Sequence, residues 1–424
     1  MIFSCCNPYR LGGFVGLVLC VFCLVFKTSG ASFTPLSIQH RQTSGTFHRM
    51  PPDKTGVKFV SQVDEWEASQ NRVLYNGAGV AVGDFDRDGW PDIFLCAIDG
   101  DPALYRNNGN WEFADATSSA GLGKLGHRHR GAVFADLNGD DWLDLLVATV
   151  DAGIRLFINQ RGVFSETTRA SGLAGVHAPM TMALADVDGN GTLDLYVANN
   201  RSSDIRDEGS ITLRRVGGKL VIPAKYRNRL VVSGGIVKEY GEADILFLND
   251  GKGIFRKSSW TDGRFLDPRG EPLEESPLDW GLSAAFHDIN DDGLPDLYVC
   301  NDFWTPDRFW INQGDAFRLL SPESLGKTSA SSMGVCFSDY DRDGDVDLFV
   351  VDMLSRDLAM RKRQAPAQDL SDRLVNQGKY ADQVMRNTLL NNRGDGSFAE
   401  LANMAGLTAS DWSWSPVFLD VDLD

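Results

Sequence analysis

Five times between residues 83 and 351 the chain writes one acidic loop, D-x-D/N-x-D/N-G-x-x-D, and follows it with a short β-branched and aromatic run. The copies are GDFDRDGWPDIFLC (83–96), ADLNGDDWLDLLVA (135–148), ADVDGNGTLDLYVA (185–198), HDINDDGLPDLYVC (287–300) and SDYDRDGDVDLFVV (338–351), and a sixth begins at LDVDLD (419–424). With two inserts set aside, at 204–243 and 355–385, the repeat unit is about 50 residues.

Every unit has the same grammar. A short apolar segment such as GVAVG (79–83) precedes the acidic loop, and a run such as DLYVAN (194–199) follows it. A third segment then enters an Asn/Gly turn: LYRNNG (104–109), LFINQRG (156–162), LFLNDGKG (246–253), FWINQG (309–314) and LLNNRGDG (389–396). An aromatic segment such as WEFAD (111–115) closes the unit. Apolar runs of about four to six residues between turn signals are strands. Four strands in about 50 residues make the size of a propeller blade. The expected fold is therefore all-β, a β-propeller of four-stranded blades over 57–424, with about six blades covered.

The loop spacing fits a hard cation. Oxygen ligands at positions 1, 3, 5 and 9, with the carbonyl of position 7, can surround Ca²⁺, and a glycine at position 6 allows the tight turn. The ligand sets are Asp84, Asp86, Asp88, Trp90 and Asp92 in loop 1; Asp136, Asn138, Asp140, Trp142 and Asp144 in loop 2; and Asp186, Asp188, Asn190, Thr192 and Asp194 in loop 3. Loop 4 offers Asp288, Asn290, Asp292, Leu294 and Asp296, and loop 5 offers Asp339, Asp341, Asp343, Asp345 and Asp347. Three or four carboxylates so close repel one another unless a cation neutralises them. Ca²⁺ suits the set better than Mg²⁺, which keeps several waters in a rigid octahedron. Loop 2 departs from the pattern, with Asp141 at the glycine position and Gly139 two residues early. An EF-hand is excluded, because position 12 is Leu95, Val147, Val197, Val299 or Val350 rather than glutamate.

These residues, together with GAGVAVGDFDRDGWPDIFL (77–95) and MRNTLLNNRGDGSFAELANMAGLTASDWSWSPVFLDVD (385–422), resemble the FG-GAP/VCBS repeat proteins, and within them those associated with an ASPIC/UnbV domain. The resemblance covers roughly 57–424. It implies an integrin-α-like propeller, usually seven-bladed, with Ca²⁺ in loops on one face, and further chain carrying the ASPIC/UnbV segment.

The N-terminus has the form of an export signal over 1–31: Arg10, an apolar run from Leu11 to Phe26, then Ser29-Gly30-Ala31. An uncleaved anchor is the alternative, and 32–56 forms a linker. Acidic residues exceed basic ones, 58 to 41, for a formal net charge of −17, so a nucleic-acid partner is excluded. Cys96, Cys300 and Cys336 are no disulfide framework, and Cys96 and Cys300 end matching strands as small core residues. The first insert holds a hairpin around Gly217-Gly218 and six cations (Arg214, Arg215, Lys219, Lys225, Arg227, Arg229), read as a solvated decoration. The second is read as a turn at Arg361-Lys362-Arg363 followed by helix after Pro366. His127-x-His129 lacks a third ligand, and Trp412 and Trp414 are expected to pack.

The chain is thus expected to be a secreted, periplasmic or cell-surface calcium-binding scaffold for an extracellular protein or glycan, with no catalytic motif and no membrane contact beyond the signal segment. The alternatives are a polysaccharide-lyase-like enzyme and a structural module serving the ASPIC/UnbV domain.

Overall fold

A computed structural model describes residues 49–364 and 381–420, apart from 124, 127, 176 and 234. The export signal, most of the linker, the stretch after Pro366, His127 and the last two aspartates of the sixth motif lie outside the described residues.

The described chain forms five four-stranded antiparallel blades of a β-propeller. Blade 1 comprises Val80–Gly83, Asp92–Leu95, Ala103–Asn107 and Phe113–Asp115. Blade 2 comprises His129–Ala135, Asp144–Thr149, Ile154–Asn159 and Phe164–Glu166. Blade 3 takes Pro179–Ala185, Asp194–Asn199, Ile245–Asn249 and Phe255–Lys257. Blade 4 takes Gly281–His287, Asp296–Asn301, Arg308–Asn312 and Phe317–Leu319, with Phe265–Leu266 pairing parallel to its outermost strand. Blade 5 takes Gly334–Ser338, Asp347–Val351, Thr388–Asn392 and Phe398–Glu400.

The second strand of each blade shows why these segments read as unbroken apolar runs. Side chains alternate across a strand, and in blades 2 to 4 both faces are covered by neighbouring blades. Leu145 and Val147 pack toward blade 1 with Phe94 and Leu104, whereas Leu146 and Ala148 pack toward blade 3 with Leu195 and Val197. Tyr196 and Ala198 turn the other way, against Leu297, Val299 and Trp310 of blade 4. Tyr298 and Cys300 then meet Leu348, Val350 and Leu390 of blade 5. Cys96 and Cys300 are buried free thiols in this core.

In the first insert Arg214–Val216 pairs with Lys219–Val221, and a second hairpin, Leu230–Ser233 with Ile236–Glu239, follows. Its cations are not all solvated decoration. Arg229 bridges Glu208 and Glu239, and Lys225 reaches Glu208 at 3.0 Å. In the second insert, Arg361-Lys362-Arg363 is not a turn but lies in the helix Leu358–Gln364. Trp412, expected to pack, is 60% exposed, while Phe418 nearby packs edge-on to Phe349.

Candidate metal centres

Each acidic loop joins the first and second strands of its blade, so all five occupy the same end of the strands. In every copy the position-1 carboxylate caps the turn. Asp84 Oδ1 accepts from the Asp88 N–H at 3.0 Å and Oδ2 from the Gly89 N–H at 2.8 Å. The same pair of bonds recurs on Asp136, Asp186, Asp288 and Asp339. The position-5 side chain then accepts from the position-7 N–H, at 2.8 to 3.0 Å in all five loops.

Loop 2 keeps this geometry despite its odd sequence. Position 6 is left-handed in every copy: Gly89, Asp141, Gly191, Gly293 and Gly344 have φ between 67° and 100°. Position 4 is left-handed as well, in Arg87, Gly139, Gly189, Asp291 and Arg342. The loop therefore needs two residues at positive φ, and loop 2 places its glycine at the first and an aspartate, a residue tolerated there, at the second.

Position 9 is the pivot. Asp92, Asp144, Asp194, Asp296 and Asp347 are fully buried at the start of the second strand. One oxygen of each accepts from the position-2 N–H of its own loop, and the other from the N–H of an asparagine ending the third strand. Burial nevertheless pushes the carboxyls of Asp92, Asp144 and Asp194 up to about 6 and that of Asp296 up to about 7, with nearby loop carboxylates adding to the rise. Asp347 is raised for the same reason.

The asparagines went unrecognised in the sequence as anything but turn residues. Asn107, Asn159, Asn249, Asn312 and Asn392 each accept from a glycine N–H in the following turn. Each Nδ2 donates to the position-8 carbonyl of its own loop. In blades 2 to 5 it also donates to the position-2 carbonyl of the preceding blade: Asn159 to Phe85, Asn249 to Leu137, Asn312 to Val187 and Asn392 to Ile289, at 2.8 to 3.1 Å. Their recurrence at one register position after every loop was the available signal.

Three loops bring carboxylate oxygens of positions 1, 3 and 9 within 4.8 Å of one another: Asp84, Asp86 and Asp92; Asp186, Asp188 and Asp194; and Asp339, Asp341 and Asp347. In loops 2 and 4, position 3 is an asparagine whose Nδ2 donates to the position-5 carboxylate. The donor set fits a divalent cation on one further observation: Asp86 Oδ1 is buried with no hydrogen-bond partner, an orphaned carboxylate oxygen within the loop's ligand set. Away from the loops, His129 is fully buried at the start of the first strand of blade 2.

The FG-GAP-like repeat profile matches residues 84–147, 136–197 and 288–350, so the chain carries at least three such repeats, and each match opens on the first aspartate of an acidic loop. Cartilage acidic protein 1 of Mus musculus is 24% identical over 72% of this chain and 52% of that protein. Its Homo sapiens counterpart is 26% identical over 71% and 50%. The chain thus spans about half the length of the relatives it matches. Among solved structures, a GH43_1 enzyme from Xanthomonas citri is 12% identical, with a TM-score of 0.36 over 77% of this chain and 92% of that one, too loose a superposition to inform function.

Proposed function

We propose that this chain is an exported, calcium-binding β-propeller that serves as a binding scaffold for an extracellular protein or glycan. The observation behind the calcium reading is the loop repeated five times with one hydrogen-bond scheme, each closing on a buried carboxylate whose charge its surroundings disfavour. Bound Ca²⁺ supplies the positive charge that such a set calls for. The chain's residues do the rest: position 1 caps the turn, position 9 ties the loop to the third strand, and in blades 2 to 5 the asparagine ties it to the blade before.

The two buried tyrosines of the second strands serve the packing between blades. Tyr196 and Tyr298 are buried, and each donates its hydroxyl hydrogen to a buried carboxylate, Asp244 and Asp307 respectively, at 2.7 Å. Export rests on the N-terminal sequence, and among the described residues no helix is long and apolar enough to cross a membrane.

Calcium at about a hundred times its dissociation constant should stabilise the protein by about 2.7 kcal/mol per coupled site. The melting temperature should therefore fall in excess EDTA and return on adding Ca²⁺. An unchanged melt would sink the calcium reading. A glycan array run beside a lyase assay separates the scaffold from the enzyme, since turnover of an acidic polysaccharide would replace binding as the function.

A further inference from the structure

Loop 1 differs from its repeats in what stands beside it. The residue before the clasping asparagine is Arg106 in blade 1, but Ile158, Leu248, Ile311 and Asn391 in the others. The Arg106 guanidinium pairs through Nε with Asp86 and through Nη2 with Asp88 Oδ2 at 2.7 Å. These are positions 3 and 5 of the ligand set.

Loop 5 is the natural comparison, because it offers the same four carboxylates: Asp339, Asp341, Asp343 and Asp347. In place of the guanidinium it has a neutral amide, with Asn391 Nδ2 donating to Asp341 Oδ2 at 2.9 Å and to Asp347 Oδ1 at 3.1 Å. Loop 1 thus carries its own counter-charge, while among the described residues no ion pair reaches loop 5.

We propose that Arg106 makes loop 1 a weaker calcium site than loop 5 and keeps it folded without the ion. This rests on the calcium reading above. The guanidinium competes for one oxygen of Asp86 and one of Asp88, two of the carboxylates that give the loop its attraction for a dication. It does not close the site, because Asp86 Oδ1 remains unpartnered. Nor can the competition be severe: the Arg106 side chain is 44% exposed, and solvent screens its pairs.

The test is a calorimetric calcium titration of the full chain, with loop 1 identified as the site lost in Asp84→Asn and loop 5 as the site lost in Asp339→Asn. Arg106→Leu, the residue type of blade 3, should tighten loop 1 by about threefold to tenfold, the range for one or two exposed ion pairs. In EDTA the same variant should melt below wild type, and its melting temperature should rise more on adding calcium. Arg106→Lys keeps the charge without the fork; it should tighten loop 1 by less, and it carries the comparison if the leucine variant does not fold. Equal affinity of loops 1 and 5 in wild type, unchanged by either substitution, would overturn the proposal and leave the calcium reading intact. Absence of calcium binding in every variant would overturn both.

Discussion

In blades 2 to 5 the asparagine that ends the third strand joins its own loop, its own turn and the preceding blade through one buried side chain. Asn159 donates to Phe85 of blade 1 and Leu143 of its own loop, and accepts from the Gly162 N–H, all while fully buried. Asn159→Ala leaves two carbonyls and one N–H without these partners, and each orphaned buried group costs about 1–3 kcal/mol. A loss of roughly 3 kcal/mol in chemical denaturation is expected. A loss within about 0.5 kcal/mol, as for an ordinary surface change, would refute the clasp. The position-9 aspartates are among the buried carboxyls that tie stability to pH, together with Asp244 and Asp307, each pushed up to about 7 by burial. The position-9 carboxyls rise from 3.8 to about 6 in blades 1 to 3 and to about 7 in blade 4, mainly through burial. In metal-free protein each therefore contributes stability that is complete below 3.8 and lost as pH climbs through the raised value. On the calcium reading proposed above, bound Ca²⁺ would reverse the direction by demanding the ionised form. Acidification from about pH 7.5 to about 5.5 should weaken calcium affinity, and most of all at loop 4, whose Asp296 is raised furthest. A calcium titration at both pH values checks this; equal affinities would contradict it. The acidic half of each site was legible in the sequence because its spacing is local. The asparagine half was not, since its partner in the preceding blade lies 74 residues away for Asn159 and 125 for Asn312.

At the scale of the loop, the instructive element is loop 2. Its glycine looks misplaced only while one left-handed position is assumed, and the backbone has two. Position 4 was illegible because arginine or aspartate fills it in loops 1, 4 and 5, residues that give no turn signal of their own. Gly139→Ala should cost about 1 kcal/mol, since a Cβ at φ 76° is strained although the nearest atom it would meet, the Gly251 carbonyl oxygen, is 3.8 Å away. Asp141→Gly should change stability by no more than about 0.5 kcal/mol, relief at φ 67° being offset by a more flexible unfolded chain. Thermal melts of the two variants give the comparison, and a larger loss for Asp141→Gly would contradict it. The blade strands were clear in advance, whereas the helix Glu65–Gln70 and the hairpin of Leu230–Ser233 with Ile236–Glu239 were not. The second strands of blades 2 to 4, buried on both faces, read as continuous apolar runs, and the Asn/Gly turns marked the ends of the third strands. The helix Leu358–Gln364 was missed because its Arg-Lys-Arg stretch is exposed and shows no apolar stripe.

Across the whole molecule, the clasps share a direction. In blades 2 to 5 the asparagine reaches back to the blade before it, and the carbonyl it seeks sits in a loop already complete in the chain. Order of synthesis and order of docking therefore coincide. A blade leaving the ribosome finds the acceptor of its clasp already made and brings its own donor. Nascent chains stalled at increasing lengths should gain protease resistance blade by blade, each step falling after the next asparagine has emerged. A single gain at full length would show that the blades fold only together. The backward-facing latch makes the repeat extendable in one direction, and it lets lengthening the ring and folding it proceed as one process.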